Sequence, residues 1–125
     1  MGESGGARVV VCRVGGNRFA LPVVAVREVV TSGIKARIPG APAAVTGVVN
    51  LRGTLLTVIS GAVLVGGAEP GLGGWLVVLA AFEGRVGIEV EEVEDIQIAE
   101  ASEGVALLDV ESLIRPLLAV GAAKG

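Results

Sequence analysis

Five carboxylates lie close together in the stretch GIEVEEVEDI, and their types could support acid–base chemistry or bind a hard cation such as Mg²⁺. They are Glu89, Glu91, Glu92, Glu94 and Asp95. Their alternation with valine and isoleucine is typical of the solvated face of a strand, and their spacing does not match a Ca²⁺-binding loop. We therefore expect neither a metal site nor a catalytic pair in this stretch.

The side chains that many enzymes and zinc sites use are scarce in this chain. It has no histidine, no tyrosine and a single cysteine, Cys12. This composition excludes a Ser-His or Cys-His nucleophile system and a thiolate–imidazole zinc site. No phosphate-binding loop of the form GxxxxGK[ST] is present. The sequence predicts no catalytic residue and no cofactor, and by elimination it favours a binding module.

Arg52 is the only charged residue in the apolar range Ile38–Ala68. Because an unpaired buried charge is very costly, this guanidinium must lie at an exposed turn or be paired with a partner. The β-type runs Val45–Leu51 and Thr54–Ile59 flank Arg52 and Gly53. Glycine adopts positive φ readily, so this pattern predicts a hairpin with Arg52 at its tip.

The partner that we predict for Arg52 is Glu28. Glu28 is the only acidic residue between Glu3 and Glu69. A partly desolvated guanidinium favours a carboxylate that can accept two hydrogen bonds. The sequence therefore predicts a charge-assisted hydrogen bond between Arg52 and Glu28, at or beside a surface that binds another protein.

Two further hairpins are predicted from turn residues between β-type runs. The tripeptide GGN separates Arg8–Val14 from Arg18–Pro22, and the dipeptide EG separates Trp75–Phe82 from Arg85–Val90. The apolar phase changes twice within GIEVEEVEDIQI, which indicates a bulge or bend.

A short C-terminal helix is predicted after Asp109, which can cap the sequence VESLI, while Glu111 in the first turn suits the helix dipole. We expect Pro116 to end or kink this helix. Residues 1–7 and 121–125 are expected to be flexible ends.

Length and composition predict one domain with an aliphatic core, because the 125 residues are 52% hydrophobic and 2% aromatic. The net charge of −3 divides into +5 for residues 1–65 and −8 for residues 66–125. This asymmetry could favour head-to-tail contacts between copies of the chain, or the charges could simply be scattered over a solvated surface. The acidic balance disfavours nucleic-acid binding. No signal-peptide pattern is present, and Gly53–Ala68, the longest uncharged run, is too short for a membrane helix. We expect a cytoplasmic protein without direct membrane insertion.

The stretch RIPGAPAAVTGVVNLRGTLLTVIS resembles the signature of the CheW-like domain family, the adaptor module of chemotaxis arrays. The segments GNRFALPVVAVREVV, RVGIEVEEVEDI and LLDVESLI follow the family order around it, so the resemblance spans about Arg8 to Leu118. It implies a mainly β fold of two small SH3-like β-barrel lobes packed together in a single domain over residues 8–120. The first lobe is expected over about 24–65, and the second from the remaining strands.

The resemblance also implies a function without catalysis. It implies an adaptor that couples the cytoplasmic tips of chemoreceptors to the regulatory domain of a CheA-type histidine kinase through protein–protein contacts. Six residues are the candidate protein-binding set: Arg52, Glu28, Val26, Val29, Val48 and Asn50. The alternative is a shortened CheW-like scaffold module of another two-component or motility pathway.

Two departures from the family pattern affect these expectations. Thr57 and Ser60 stand where the family usually has proline and aspartate after NLRG. Only AEASEGVA lies between EDIQI and LLDVESLI, where family members usually have a longer stretch. The second lobe is therefore expected to be shortened. Because an exposed strand edge invites pairing, we predict a homodimer formed by edge pairing or strand exchange.

Overall fold

The computed structural model describes residues 8–33, 35–67, 73–98 and 105–124. Within these ranges the chain forms nine strands and two α-helices. The strands are β1 Arg8–Val14, β2 Asn17–Pro22, β3 Val26–Thr31, β4 Val45–Leu51, β5 Thr54–Ser60, β6 Trp75–Leu79, β7 Val86–Val90, β8 Glu92–Ile98 and β9 Ala106–Leu107. The helices are α1 Gly61–Leu64 and α2 Val110–Lys124. The predicted flexible residues 1–7 lie outside the described residues.

The three predicted hairpins are confirmed. β1 pairs with β2, β4 with β5, and β6 with β7, each antiparallel. Gly15 turns the first hairpin at a φ of 57°, a conformation that glycine adopts without steric cost. The predicted bend is also confirmed, because β7 ends at Val90 and β8 begins at Glu92 in the other sheet.

The strands form two sheets, in the hydrogen-bonded orders β8-β1-β2-β9 and β3-β6-β7-β5-β4. The lobe that contains Arg52 extends beyond the expected residues 24–65, because β6 and β7 occupy the middle of its sheet. β6 pairs with β3, and β7 pairs in parallel with β5. The sequence of β6 is WLVVL, and a strand that is apolar on both faces is most stable where both faces are buried.

Two apolar clusters lie on opposite faces of the five-stranded sheet. The larger one joins both sheets and α2, and its members include Phe19, Leu21, Ile59, Val77, Ile88 and Ile114. The smaller one lies within the five-stranded lobe and comprises Val49, Leu56, Val58, Leu76 and Val78. The predicted mainly β fold of two SH3-like lobes is confirmed, although among the described strands neither hydrogen-bonded order closes into a ring.

The C-terminal helix is longer than expected. Asp109 caps it, because its Oδ1 accepts a hydrogen bond from the Ser112 N–H at 3.3 Å. The helix does not end at Pro116, and residues 121–124, expected to be flexible, belong to it. The exposed Pro116 removes one backbone hydrogen bond, whereas Leu117 and Leu118, directly after it, pack against the larger cluster and favour continuation of the helix.

Among the residues that the structure describes, no helix is long and apolar enough to cross a membrane.

Candidate functional site around Arg52 and Glu28

The turn between β4 and β5 consists of Arg52 and Gly53, and Leu51 pairs with Thr54 across it. The φ values of Arg52 and Gly53 are 51° and 90°. The left-handed conformation costs a residue other than glycine roughly 1 kcal/mol or more. Asn50 supports the turn, because its Oδ1 accepts a hydrogen bond from the Gly53 N–H at 2.8 Å. The sequence NLRG thus holds Arg52 at the tip of a hairpin, as predicted.

Arg52 donates a hydrogen bond from Nη2 to Glu28 Oε2 at 2.6 Å, which confirms the predicted pair. The Arg52 side chain is 66% exposed and that of Glu28 is 31% exposed. Glu28 lies on β3, whereas Arg52 follows β4, and these strands are the two ends of the five-stranded order. The ion pair therefore connects the two edge strands through side chains, because β3 and β4 are not hydrogen-bonded neighbours in the sheet.

The predicted apolar contact residues lie on the same two edge strands. Val26 of β3 packs against the larger apolar cluster. Val29, also on β3, is 37% exposed and is thus the most accessible of the three. Val48 of β4 exchanges backbone hydrogen bonds with Ala36 at 2.9 Å and is partly buried. Their binding role, like that of Asn50, stays a prediction.

A cleft of about 320 Å³ opens beside the ion pair, at the end of the smaller apolar cluster. Leu56 and Val78 belong to this cluster and line the cleft. The charged residues that line the cleft are Arg27, Glu28, Arg52, Glu83 and Arg85. The sequence did not mark Arg27, Glu83 or Arg85 as binding residues; its signals were the position of Arg27 beside Glu28 and the predicted turn at Glu83 and Gly84.

One wall of the cleft is a turn in which three successive residues have positive φ. The values for Phe82, Glu83 and Gly84 are 57°, 58° and 71°. Gly84 lies against the guanidinium of Arg27, and its positive φ favours glycine at this position. The guanidinium of Arg115 on α2 lies 5.6 Å from the centroid of the Phe82 ring, a cation–π distance. The helix thus contacts the turn that carries Glu83 and Gly84.

The carboxylates of the acidic stretch are engaged with cations of this chain. Glu91 and Glu92 both pair with Arg13, and the hydrogen bond and charge of Glu92, with a smaller contribution from the charge of Glu91, raise the pKa of Arg13 above its ordinary value. Glu94 accepts a hydrogen bond from Arg18 Nη2 at 2.8 Å. These pairs join the basic first half of the chain to its acidic second half, so part of the charge asymmetry is neutralised within the molecule.

Glu89 differs from the other acidic residues because it is almost completely buried, with 6% of the residue exposed. Its Oε2 accepts hydrogen bonds from Ser32 Oγ at 2.5 Å and from Lys35 Nζ at 2.7 Å. A buried carboxylate needs such partners to offset the loss of water. Among the described residues, no group of three or more His, Cys, Asp or Glu side chains has metal-binding geometry.

The fold and the site together define a two-lobed, mainly β domain with an exposed ion pair and a charged cleft on one lobe. The family model described as the CheW-like domain matches residues 8–117. The chain therefore belongs to the CheW-like domain family.

Two relatives illustrate this membership. The chemotaxis protein CheW of Rhizobium meliloti (strain 1021) is 35% identical over 95 residues, which cover 74% of this chain and 61% of the relative. The crystal structure of the scaffolding protein TtCheW from Thermoanaerobacter tengcongensis aligns with a TM-score of 0.66 and 23% identity, over 74% of this chain and 65% of that one. At this identity the second match shows the fold. The chain spans less than two thirds of the length of each relative.

Proposed function

We propose that this chain is a cytoplasmic, non-enzymatic adaptor of chemotaxis signalling. In this role it couples the cytoplasmic tips of chemoreceptors to the regulatory domain of a CheA-type histidine kinase. The observation that carries the proposal is the ion pair between Arg52 and Glu28, which places the arginine of NLRG on an exposed end of a CheW-like lobe. The relative from Rhizobium meliloti is a chemotaxis protein, which supports the same pathway.

The exposure of Arg52 suits a binding role better than a structural one. An ion pair at the surface contributes at most about 1 kcal/mol to folding, because water and salt screen it. An arginine desolvated at the centre of a protein interface can contribute about 2 kcal/mol or more to binding. Glu28 orients the guanidinium, and the remaining N–H donors of Arg52 stay available to a partner. Val29 adds exposed apolar area on the neighbouring edge strand.

The test is to measure the affinity of the purified chain for a receptor cytoplasmic fragment and for a kinase regulatory domain, each by itself. The variants Arg52→Ala and Arg52→Glu should stay folded, and each should lower the free energy of unfolding by at most about 1 kcal/mol. They should bind at least one partner about tenfold more weakly or worse. Arg37→Ala, in an exposed loop outside the cleft, is the matched control.

The exchange variant Arg52→Glu with Glu28→Arg separates the two effects. It should restore thermal stability more than binding, since the partner still meets a carboxylate where it expects a guanidinium. If Arg52→Glu binds both partners as tightly as the unmodified chain, Arg52 has no binding role and the proposal is contradicted.

The alternative function is a scaffold of another two-component or motility pathway. It is favoured by the four-stranded sheet, in which the outer strand β9 has two residues, and by the greater length of the relatives. A gene neighbourhood without a CheA-type kinase, together with no binding to either chemotaxis partner, would support this alternative.

A further inference from the structure

The arginines of the described residues fall into two groups. Arg13, Arg18, Arg52 and Arg115 each lie within 4 Å of a carboxylate of the chain. Arg8, Arg27, Arg37 and Arg85 form no ion pair with any side chain that the structure describes, and of these Arg27 and Arg85 line the cleft beside Arg52. They reach it from different elements, because Arg27 lies on β3 and Arg85 immediately precedes β7. The fold therefore gathers three guanidinium groups around one opening.

The charge of this cleft is positive once its own carboxylates are counted. Glu28 is occupied by Arg52 at 2.6 Å, and Glu83 is the only other acidic residue that lines the cleft. Three cations face two anions there. Arg27 and Arg85 are both exposed, so their donors are accessible from solvent, while Leu56 and Val78 give the cleft an apolar base. A small anion carried on a short aliphatic stem fits this combination of volume and charge.

We propose that the cleft binds an acidic side chain, aspartate or glutamate, of a partner protein, with Arg27 and Arg85 as its cationic ligands beside Arg52. This inference rests on the proposed function, because it names the chemistry that the partner must present at the same site. Arginine presents paired N–H donors that match the two oxygens of a carboxylate. Arg27 and Arg85 thus determine that the cleft accepts an acidic side chain of the partner.

We assign the acidic residue to another protein, because the described surface of a second copy offers few free carboxylates. The acidic side chains in the described part are engaged within the chain: Glu28 with Arg52, Glu89 with Lys35, Glu91 and Glu92 with Arg13, Glu94 with Arg18, Glu111 with Arg115, and Asp109 with Ser112. Glu83 has no such ion pair, but it lies in the cleft itself. A copy of the described surface therefore has little free carboxylate to offer.

The main test compares the double variant Arg27→Gln with Arg85→Gln against Arg37→Gln, an exposed arginine of a loop outside the cleft. Affinity for the receptor fragment and for the kinase regulatory domain is measured at about 0.1 M and about 1 M salt, where the Debye lengths are about 10 and 3 Å. The double variant should bind one partner about tenfold more weakly at low salt, with a smaller difference at high salt. Arg37→Gln should change affinity by less than about twofold.

A substitution of opposite sign makes the test stricter. Glu83→Gln removes the carboxylate that competes for the same cations, so it should tighten binding about two- to threefold at low salt. If the double variant binds like the unmodified chain, or if Glu83→Gln weakens binding as much as the double variant does, the inference is wrong.

A second arm separates this inference from the proposed function. Hexaglutamate is titrated into the isotope-labelled chain, and backbone amide shifts are followed by NMR. Shifts should concentrate at residues 27, 52 and 83–85 and be lost in the double variant. If neither protein partner binds while these shifts occur, the proposed function fails and the carboxylate cleft stands. Chemical-shift changes centred on other residues would overturn the inference that the cleft binds a carboxylate. If sedimentation shows that the double variant no longer self-associates, the acidic side chain belongs to a second copy and the inference of another protein is wrong.

Discussion

Lys35 Nζ lies 2.7 Å from Glu89 Oε2, and this contact joins a residue of the loop after β3 to the buried strand β7. The side chain of Glu89 is 5% exposed, whereas that of Lys35 is 26% exposed. Gly73 lies against the Glu89 side chain on another side, so a Cβ at Gly73 would overlap it. The ion pair thus fixes how the segment after β3 packs on β7.

Removing the lysine should destabilise the fold. Lys35→Met leaves Glu89 buried with Ser32 as its remaining donor, and we expect a loss of about 2 to 3 kcal/mol in the free energy of unfolding, measured with denaturant. The double variant Lys35→Met with Glu89→Leu should recover most of that loss, because it removes the unpaired charge. Arg37→Met is the control. Equal stability of Lys35→Met and the unmodified chain would contradict this reading of Glu89.

The cap of α2 predicts a pH dependence. The hydrogen bonds from Ser112 hold the pKa of Asp109 below its usual value of 3.8. A lowered pKa in the folded state means that the charged cap stabilises the fold above pH 3.8 and that this stabilisation is lost as the pH falls toward the lowered value. Asp109→Ala should therefore lower the melting temperature above about pH 5, with a difference that shrinks below pH 3.8. A difference independent of pH would contradict the charged cap.

Cys12 should be unreactive in the folded protein. Burial, with a smaller contribution from Glu94, raises the pKa of its thiol to about 12. The thiolate is the nucleophile, so a buried neutral thiol should react with a chromogenic disulfide reagent at pH 8 only after unfolding. The expected result is no reaction of the native chain and one thiol per chain in denaturant. A native rate equal to that of the unfolded chain would show that β1 is accessible.

The outer strand β8 should promote self-association. Among the described residues β8 pairs with β1 alone and forms one end of the four-stranded order. Unpaired backbone groups at an edge attract another strand, so light scattering should show dimers or larger species as concentration rises. Glu92 and Glu94 on this strand are paired with Arg13 and Arg18, so they leave little net charge to oppose the association. A monomer at every concentration would contradict the prediction.

The sequence by itself determined the features that depend on neighbouring residues. The turn residues predicted all three hairpins, and the position of Glu28 as the only acidic residue between Glu3 and Glu69 predicted its pair with Arg52. The resemblance over NLRG predicted the family and its two-lobed β fold. The hairpins could be predicted because turn geometry acts locally, and the pair could be named because few carboxylates were available to Arg52, although the fold must bring the two residues together.

The tertiary structure alone decided which strands share a sheet and which charges meet. The parallel pairing of β5 with β7 and the pairing of β6 with β3 bring residues 75–90 into the lobe of Arg52, so that Arg85 and Arg27 line one cleft. The extension of α2 past Pro116 depends on the packing of Leu117 and Leu118 against a cluster whose strands are distant in sequence. Such outcomes follow from the total apolar area that long-range contacts remove from water, and no short window of residues contains that quantity.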